Sequence, residues 1–150
     1  MVGAWLEDVS ETECLELLRS KSVGRLAFNV DGRPLVVPVN YQLVEAHGTT
    51  PGAWIALRTR PGNLIDQAAD DVAFEIDNVD LTHQDGWSVL VRGVLHEIDP
   101  ATDDMRERFD SHPWITAERD AWLIIEPFAI TGRRLHAPEV EWAFHAAAYL

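Results

Sequence analysis

The stretch Leu57-Arg58-Thr59-Arg60-Pro61-Gly62-Asn63-Leu64 places two guanidinium groups and a hydroxyl where an apolar run gives way to a proline-led helical pattern. N–H groups in the first turn of a helix lack partners within it and lie at the positive end of its dipole. Arginine adds a planar fork of donors that suits phosphate oxygens. This junction could therefore bind an anion. The alternative is structural: Arg58 and Arg60 pair with some of the 25 carboxylates, and Thr59 merely ends the strand.

Two more segments carry unusual chemistry. In Pro34-Leu35-Val36-Val37-Pro38-Val39-Asn40-Tyr41, a proline within a strand pattern removes a ladder donor, so Pro38 marks an edge or a bulge. Nearby backbone groups could then face a planar heterocycle, with Asn40 and Tyr41 contributing side chains; an edge protected against aggregation by its proline is the competing reading. In Gly86-Trp87-Ser88-Val89-Leu90-Val91-Arg92-Gly93, alternation puts Trp87, Val89 and Val91 on one face and Ser88, Leu90 and Arg92 on the other. Arg92 in an apolar strand needs a partner, either Glu75 or a ligand, and Gly93 signals a bend or a close backbone approach.

Other chemistries find no support. The six histidines lack short metal-ligand spacings, and no nucleophile elbow or phosphate loop occurs. Cys14, the only cysteine, excludes an intramolecular disulfide and a cysteine-based zinc cluster. It occupies an apolar position of an expected helix, as a buried, inert thiol does. Trp114, Trp122 and Trp142 read as core or interface anchors.

The 150 residues make one domain, 1–150, with a single core. A formal charge of −13 argues against nucleic-acid and anionic-membrane partners, which need a basic face. No apolar run reaches the roughly 18 residues of a membrane span, and no signal-peptide pattern opens the chain. A cytoplasmic protein is expected.

The elements that must position these segments follow from periodicity. Ser10 and Glu13 form a capping box for a short helix whose inner face holds Cys14, Leu17 and Leu18. Leu26, Phe28 and Val30 alternate into an Asp31-Gly32 turn, and Leu35, Val37 and Val39 return. Further strands are expected at Trp54–Thr59, Val72–Asp77, Gly86–Ile98 and Trp122–Ile130, with Gly86–Ile98 giving the longest strand signal. Helices are expected after Pro61, carrying Leu64, Ile65, Ala68 and Ala69, over Ala101–Phe109, and over Pro138–Leu150. The architecture is mainly β with short helices, built as a six-stranded antiparallel barrel with little open interior.

The ordered set Val23-Gly24-Arg25-Leu26, Pro38-Val39-Asn40-Tyr41, Arg58-Thr59, Val72-Ala73-Phe74-Glu75, Gly86-Trp87-Ser88-Val89 with Arg92-Gly93, and Ile130-Thr131-Gly132-Arg133-Arg134 resembles the pyridoxamine-phosphate-oxidase-like flavin-binding proteins. The match runs from about residue 10 to residue 135, and it is to the broad superfamily rather than to pyridoxamine-phosphate oxidase itself. The resemblance implies a split β-barrel that forms a homodimer, with one FMN in each of two clefts at the dimer seam.

By position, the resemblance implies that Pro38, Val39, Asn40 and Tyr41 border the isoalloxazine ring and ribityl chain. It implies that Arg58 and Thr59, with Asn63 and Leu64 in the following helix, receive the phosphate, and that Trp87 and Ser88 reach the flavin from the partner subunit. Relatives commonly carry a lysine where this chain has Asn63, so the phosphate clamp is short of one cation. The function implied is an FMN-dependent oxidoreductase acting on a small planar or electron-poor substrate. The alternatives are a deazaflavin-dependent reductase, whose longer anionic tail suits this acidic chain less well, and a non-catalytic flavin- or haem-binding module.

Overall fold

The computed structural model describes residues 5–46, 52–59, 71–83, 85–98 and 121–136. They form one nine-residue helix and seven strands in the order β1 (Trp5–Val9), α1 (Glu11–Arg19), β2 (Val23–Val30), β3 (Arg33–Ala46), β4 (Gly52–Thr59), β5 (Asp71–Asp80), β6 (Asp85–Ile98) and β7 (Ala121–His136). The helices expected after Pro61, over 101–109 and over 138–150 lie outside the described residues.

The helix begins where the capping box placed it. Ser10 has extended backbone (ψ 155°), and its hydroxyl accepts the Glu13 N–H at 3.3 Å. Glu11 and Glu13 sit in the first turn and Arg19 in the last, as the helix dipole favours. The Ser20 hydroxyl donates to the Leu17 carbonyl at 2.6 Å and closes the other end. The β2–β3 hairpin turns on Asp31 (φ 51°) and Gly32 (φ 73°), the pair of left-handed residues a two-residue turn needs between Val30 and Arg33.

The strands are antiparallel throughout, and their order closes on itself: β7-β4-β3-β2-β5-β6, with β6 bonded back to β7. This is the six-stranded antiparallel ring expected from sequence. The seventh strand, β1, was not expected; it pairs with the far end of β7, from Trp5 opposite His136 to Val9 opposite Gly132. The longest strand is β7, at 16 residues, not β6 at 14. It runs past Ile130 to His136 because Gly132-Arg133-Arg134, a turn signal in isolation, is held between β6 and β1.

Alternation fills the ring. Leu26 and Phe28, Phe74 and Ile76, and Val89 and Val91 are all buried and point inward. Each such side chain contributes about 1.5–3 kcal/mol by leaving water. Cys14 and Leu18 of α1 pack onto the same cluster, so the helix covers this core. The fit is close: a Cβ at Gly132 would lie 2.5 Å from the Cys14 sulfur. Burial, with Glu13 and Glu11 nearby, pushes the Cys14 thiol pKa up, consistent with the inert thiol read from sequence.

On β4 and β7 the runs Ile55-Ala56-Leu57 and Trp122-Leu123-Ile124-Ile125 are buried without a break, so both faces of that pair are covered. The outward residues of β2 and β5, those of β3 up to Gln42, and Ser88, Leu90 and Arg92 of β6 are by contrast partly or largely exposed.

Candidate functional site

Strand β3 explains the proline signal. Tyr41 through Ala46 pair with β4, whereas Arg33 through Asn40 pair only with β2. Among the described residues, Pro34 and Pro38 therefore lie where one edge of β3 has no strand partner, so a missing N–H breaks no ladder bond on that side. Pro38 stands opposite Arg25 and is exposed; Asn40 stands opposite Val23 and is exposed on the same outer face. Val39 faces inward, half-buried against the core.

The Tyr41 side chain belongs to the core. It is 4% exposed, its ring meets Phe74 edge-on at 4.8 Å, and its hydroxyl donates to the Leu18 carbonyl at 2.5 Å. Burial pushes its pKa up to about 12. Alternation turns residue 41 inward, so the Tyr41 side chain, expected from sequence to contribute to a ligand, packs in the core of the protomer. Its backbone N–H is also engaged, donating to the Ser22 carbonyl at 3.0 Å.

Backbone register places Arg58 opposite Trp122 and Thr59 opposite Ala121, at the end of β4 that abuts the open part of β3. Their side chains, and all of Asn63 and Leu64, lie outside the described residues.

Trp87 and Ser88 occupy opposite faces of β6, as alternation predicts. Trp87 is half-buried against the core, opposite Asn78 on β5 and Arg134 on β7. The Lys21 ammonium sits 5.7 Å from the centre of its ring and donates to Asn78 Oδ1 at 2.8 Å. Ser88 lies between Asp77 and Arg133 on the outer face, which it shares with Pro38 and Asn40.

The outer face carries its own order. One row across the sheet reads Pro38, Arg25, Glu75, Leu90, Thr131, and the next reads Val36, Ala27, Ala73, Arg92, Ala129. Arg25 donates to Glu75 at 2.7 Å and lies 2.8 Å from Asp77. The hydrogen bond to Glu75 raises the guanidinium pKa further, with the charges of Glu75 and Asp77 adding to it. Glu75 is therefore not the partner of Arg92. It stands opposite Leu90 on β6, whereas Arg92 stands two residues along, opposite Ala73. The Arg92 guanidinium instead lies 5.4 Å from the ring centre of Phe128.

Phe128 is presented by a bulge. Arg92 pairs with Ala129 and Gly93 with Pro127, which leaves Phe128 without a register partner and 57% exposed. Glycine is required at 93, since a Cβ there would fall 2.4 Å from the Glu126 carbonyl oxygen. With Val36 (64% exposed) and Leu90 (38%), Phe128 gives this face an apolar character. Sequence reading did not single out Lys21, Arg25 as an ion-pair centre, or Phe128. The only signal for Lys21 was its being the single lysine of the chain.

Among the described residues there is no cluster of His, Cys, Asp and Glu that could hold a metal ion, and no helix long and apolar enough to cross a membrane. What the outer face offers instead is donors and apolar surface: the Asn40 amide and the Ser88 hydroxyl beside Pro38 and Leu90.

Among the described residues, a closed antiparallel ring with one short helix packed on it, and with no strand partner along part of one edge of β3, defines a class of small β proteins. Residues 10–134 match the family model described as pyridoxamine 5'-phosphate oxidase, and the chain belongs to that family. It is 30% identical over 135 residues, 87% of this chain and 86% of the relative, to the uncharacterized protein Rv0080 of Mycobacterium tuberculosis. Among solved structures it is similar to the FAD binding protein from Mycobacterium smegmatis (28% identity, TM-score 0.63, covering 88% of this chain and 100% of that one). It is also similar to a FAD-binding protein, mll6688, from Mesorhizobium loti (26% identity, TM-score 0.65, covering 89% and 99%).

Proposed function

We propose that this protein binds a flavin nucleotide on the outer face of the ring, beside the open stretch of β3, and uses it as an oxidoreductase. The observation that carries the reading is the sharing of one outer face by Pro38, Asn40 and Ser88, set against the end of β4 where Arg58 and Thr59 lie, in a chain of this family. The residues suit the group. Amide and hydroxyl donors match the heteroatoms of a flavin, and Pro38 and Leu90 offer apolar surface to its ring.

The flavin, when bound, supplies the redox chemistry, and the protein's part is to bind and orient it. FMN is the cofactor the sequence pattern favours. FAD is the second reading, supported by the two relatives named as FAD-binding proteins. A small planar or electron-poor molecule is the substrate class, and a net charge of −13 fits a cytoplasmic protein without nucleic-acid partners.

The functional form is a homodimer joined through the outer face. Phe128, Val36 and Leu90 are apolar and exposed there, and Pro38, Asn40 and Ser88 share the face, so a second copy would place the flavin residues at the seam. The experiment is a titration of the purified protein with FMN, FAD and riboflavin, read by flavin fluorescence and absorbance. Saturable binding of a flavin nucleotide at one per protomer supports the reading, and no binding of any flavin sinks it.

A further inference from the structure

We infer that Arg133, beside Ser88, is an anion-binding residue of the outer face and receives a carboxylate or phosphate group of the molecule that binds there. The inference rests on the flavin reading above and adds to it a charged contact and a preference among ligands.

Three observations carry it. The first is position. Gly132 faces Cys14 and Arg134 pairs with Glu13 of α1, so alternation turns Arg133, between them, outward. Ser88 turns the same way between Trp87 and Val89, which pack on the core side. The two stand opposite each other in the β6–β7 ladder, where facing Cα atoms lie about 4.5–5.5 Å apart. A ligand group bonded to the Ser88 hydroxyl is therefore within reach of the guanidinium. The next outward pair, Leu90 and Thr131, is exposed and adds apolar surface and a second hydroxyl.

The second is charge. Among the described side chains, Arg25, Arg92 and Arg133 share this face. Arg25 is held by Glu75 and Asp77, and the Arg92 guanidinium lies near the Phe128 ring. Arg133 is exposed and pairs with none of the described carboxylates, although Asp8 stands opposite it on β1. Asp77, on the other side of Ser88, is taken up by Arg25 at 2.8 Å. The planar fork of Arg133 is thus open to an incoming carboxylate or phosphate, and no described ion pair has to break to admit one. Its backbone is meanwhile fixed from both sides, by β6 and by β1.

The third is space. The next outward position on β6 beside Ser88 is Gly86, opposite Leu135. At Gly93 and Gly132 a Cβ would clash, whereas a Cβ at Gly86 would meet no atom closer than 3.5 Å, and φ there is not positive. Neither packing within the protomer nor backbone conformation calls for glycine at 86. Room for a side chain is left unfilled next to Ser88 and Arg133, as a strand leaves it where a ligand comes close.

The test compares Arg133→Gln, which removes the charge, and Arg133→Lys, which keeps it, with the wild type. Dissociation constants are measured for FMN and for riboflavin, which lacks the phosphate. On the flavin-loaded protein they are then measured for benzoate and its neutral counterpart benzamide, read by the change in flavin absorbance. Arg133→Gln should weaken FMN or benzoate binding about tenfold, while riboflavin and benzamide change less than about twofold. A loss for FMN assigns the anion to the cofactor's phosphate, and a loss for benzoate assigns it to a second small molecule. Arg133→Lys should recover most of the loss, and rising salt should shrink it. Equal losses for charged and neutral ligands would make Arg133 a structural residue and overturn the inference. So would FMN and benzoate binding that Arg133→Gln leaves unchanged. A wild type that binds no flavin at all would instead remove the reading on which the inference stands.

Discussion

The Tyr41 hydroxyl donates to the Leu18 carbonyl across 2.5 Å, tying the middle of β3 to the last turn of α1. The bond satisfies a carbonyl that the helix end would otherwise leave without a partner, and it takes the phenol away from any ligand.

Tyr41→Phe should therefore lower stability by about 1–3 kcal/mol, the cost of a buried polar group left unsatisfied, with little effect on flavin affinity. The phenol pKa is raised by burial from 10.0 to about 12, so the folded protein holds that proton more tightly than the unfolded chain. Its contribution is fully present below pH 10 and is lost as pH rises toward 12. Denaturant melts across that range should fall more steeply in the wild type than in Tyr41→Phe. Parallel curves would contradict the assignment.

At the tip of the β5–β6 hairpin, Asp80 accepts the N–H groups of Thr82 and His83 at 2.9 and 3.1 Å, and its second oxygen lies 2.7 Å from His83 Nδ1. The hydrogen bond to Asp80, then its charge, raises the His83 pKa above 6.5; the same bond lowers Asp80 below 3.8. The His83 contribution is lost as pH rises through its raised value, and that of Asp80 as pH falls through its lowered one. The turn is thus best held between these limits. Asp80→Asn should bring the His83 titration down toward 6.5 by NMR; an unchanged midpoint would contradict the pairing.

Gly132→Ala drives a methyl group to within 2.5 Å of the Cys14 sulfur and about 3.1 Å of Val9 Cβ. It should destabilise the fold by about 1–3 kcal/mol through overpacking. Adding Cys14→Ala, which makes room, should recover part of that loss, so the double-mutant cycle shows coupling between the two sites. Strict additivity in thermal melts would mean that the strain lies elsewhere.

Replacing Phe128 with Asp puts a carboxylate on the face proposed to join two copies. Phe128 is 57% exposed in the protomer, so the fold should survive. Light scattering should give a dimer for the wild type and a monomer, or a weaker dimer, for Phe128→Asp. An unchanged dimer would move the seam to another face.

The ring was legible because its strands alternate cleanly: Leu26 and Phe28, Phe74 and Ile76, and Val89 and Val91 all turn inward as their spacing requires. β1 was not legible, since Trp5-Leu6-Glu7-Asp8-Val9 is largely exposed and its pairing is set by the far end of β7, some 125 residues away. The same holds for the site. Pro38 announced an open edge locally. The inward turn of Tyr41 follows from the alternation of Leu35, Val37 and Val39, whereas the Arg25–Glu75 pair and the meeting of Lys21 with Trp87 depend on register between distant strands, which no local pattern encodes.

The most direct test of the central claim is the affinity of wild type and Arg58→Ala for FMN and riboflavin, measured by fluorescence titration. The account predicts saturable FMN binding by the wild type and a loss in Arg58→Ala that is much larger for FMN than for riboflavin, because the guanidinium is proposed to contact only the phosphate. Absence of flavin binding by the wild type, or equal losses for the two ligands, would contradict it.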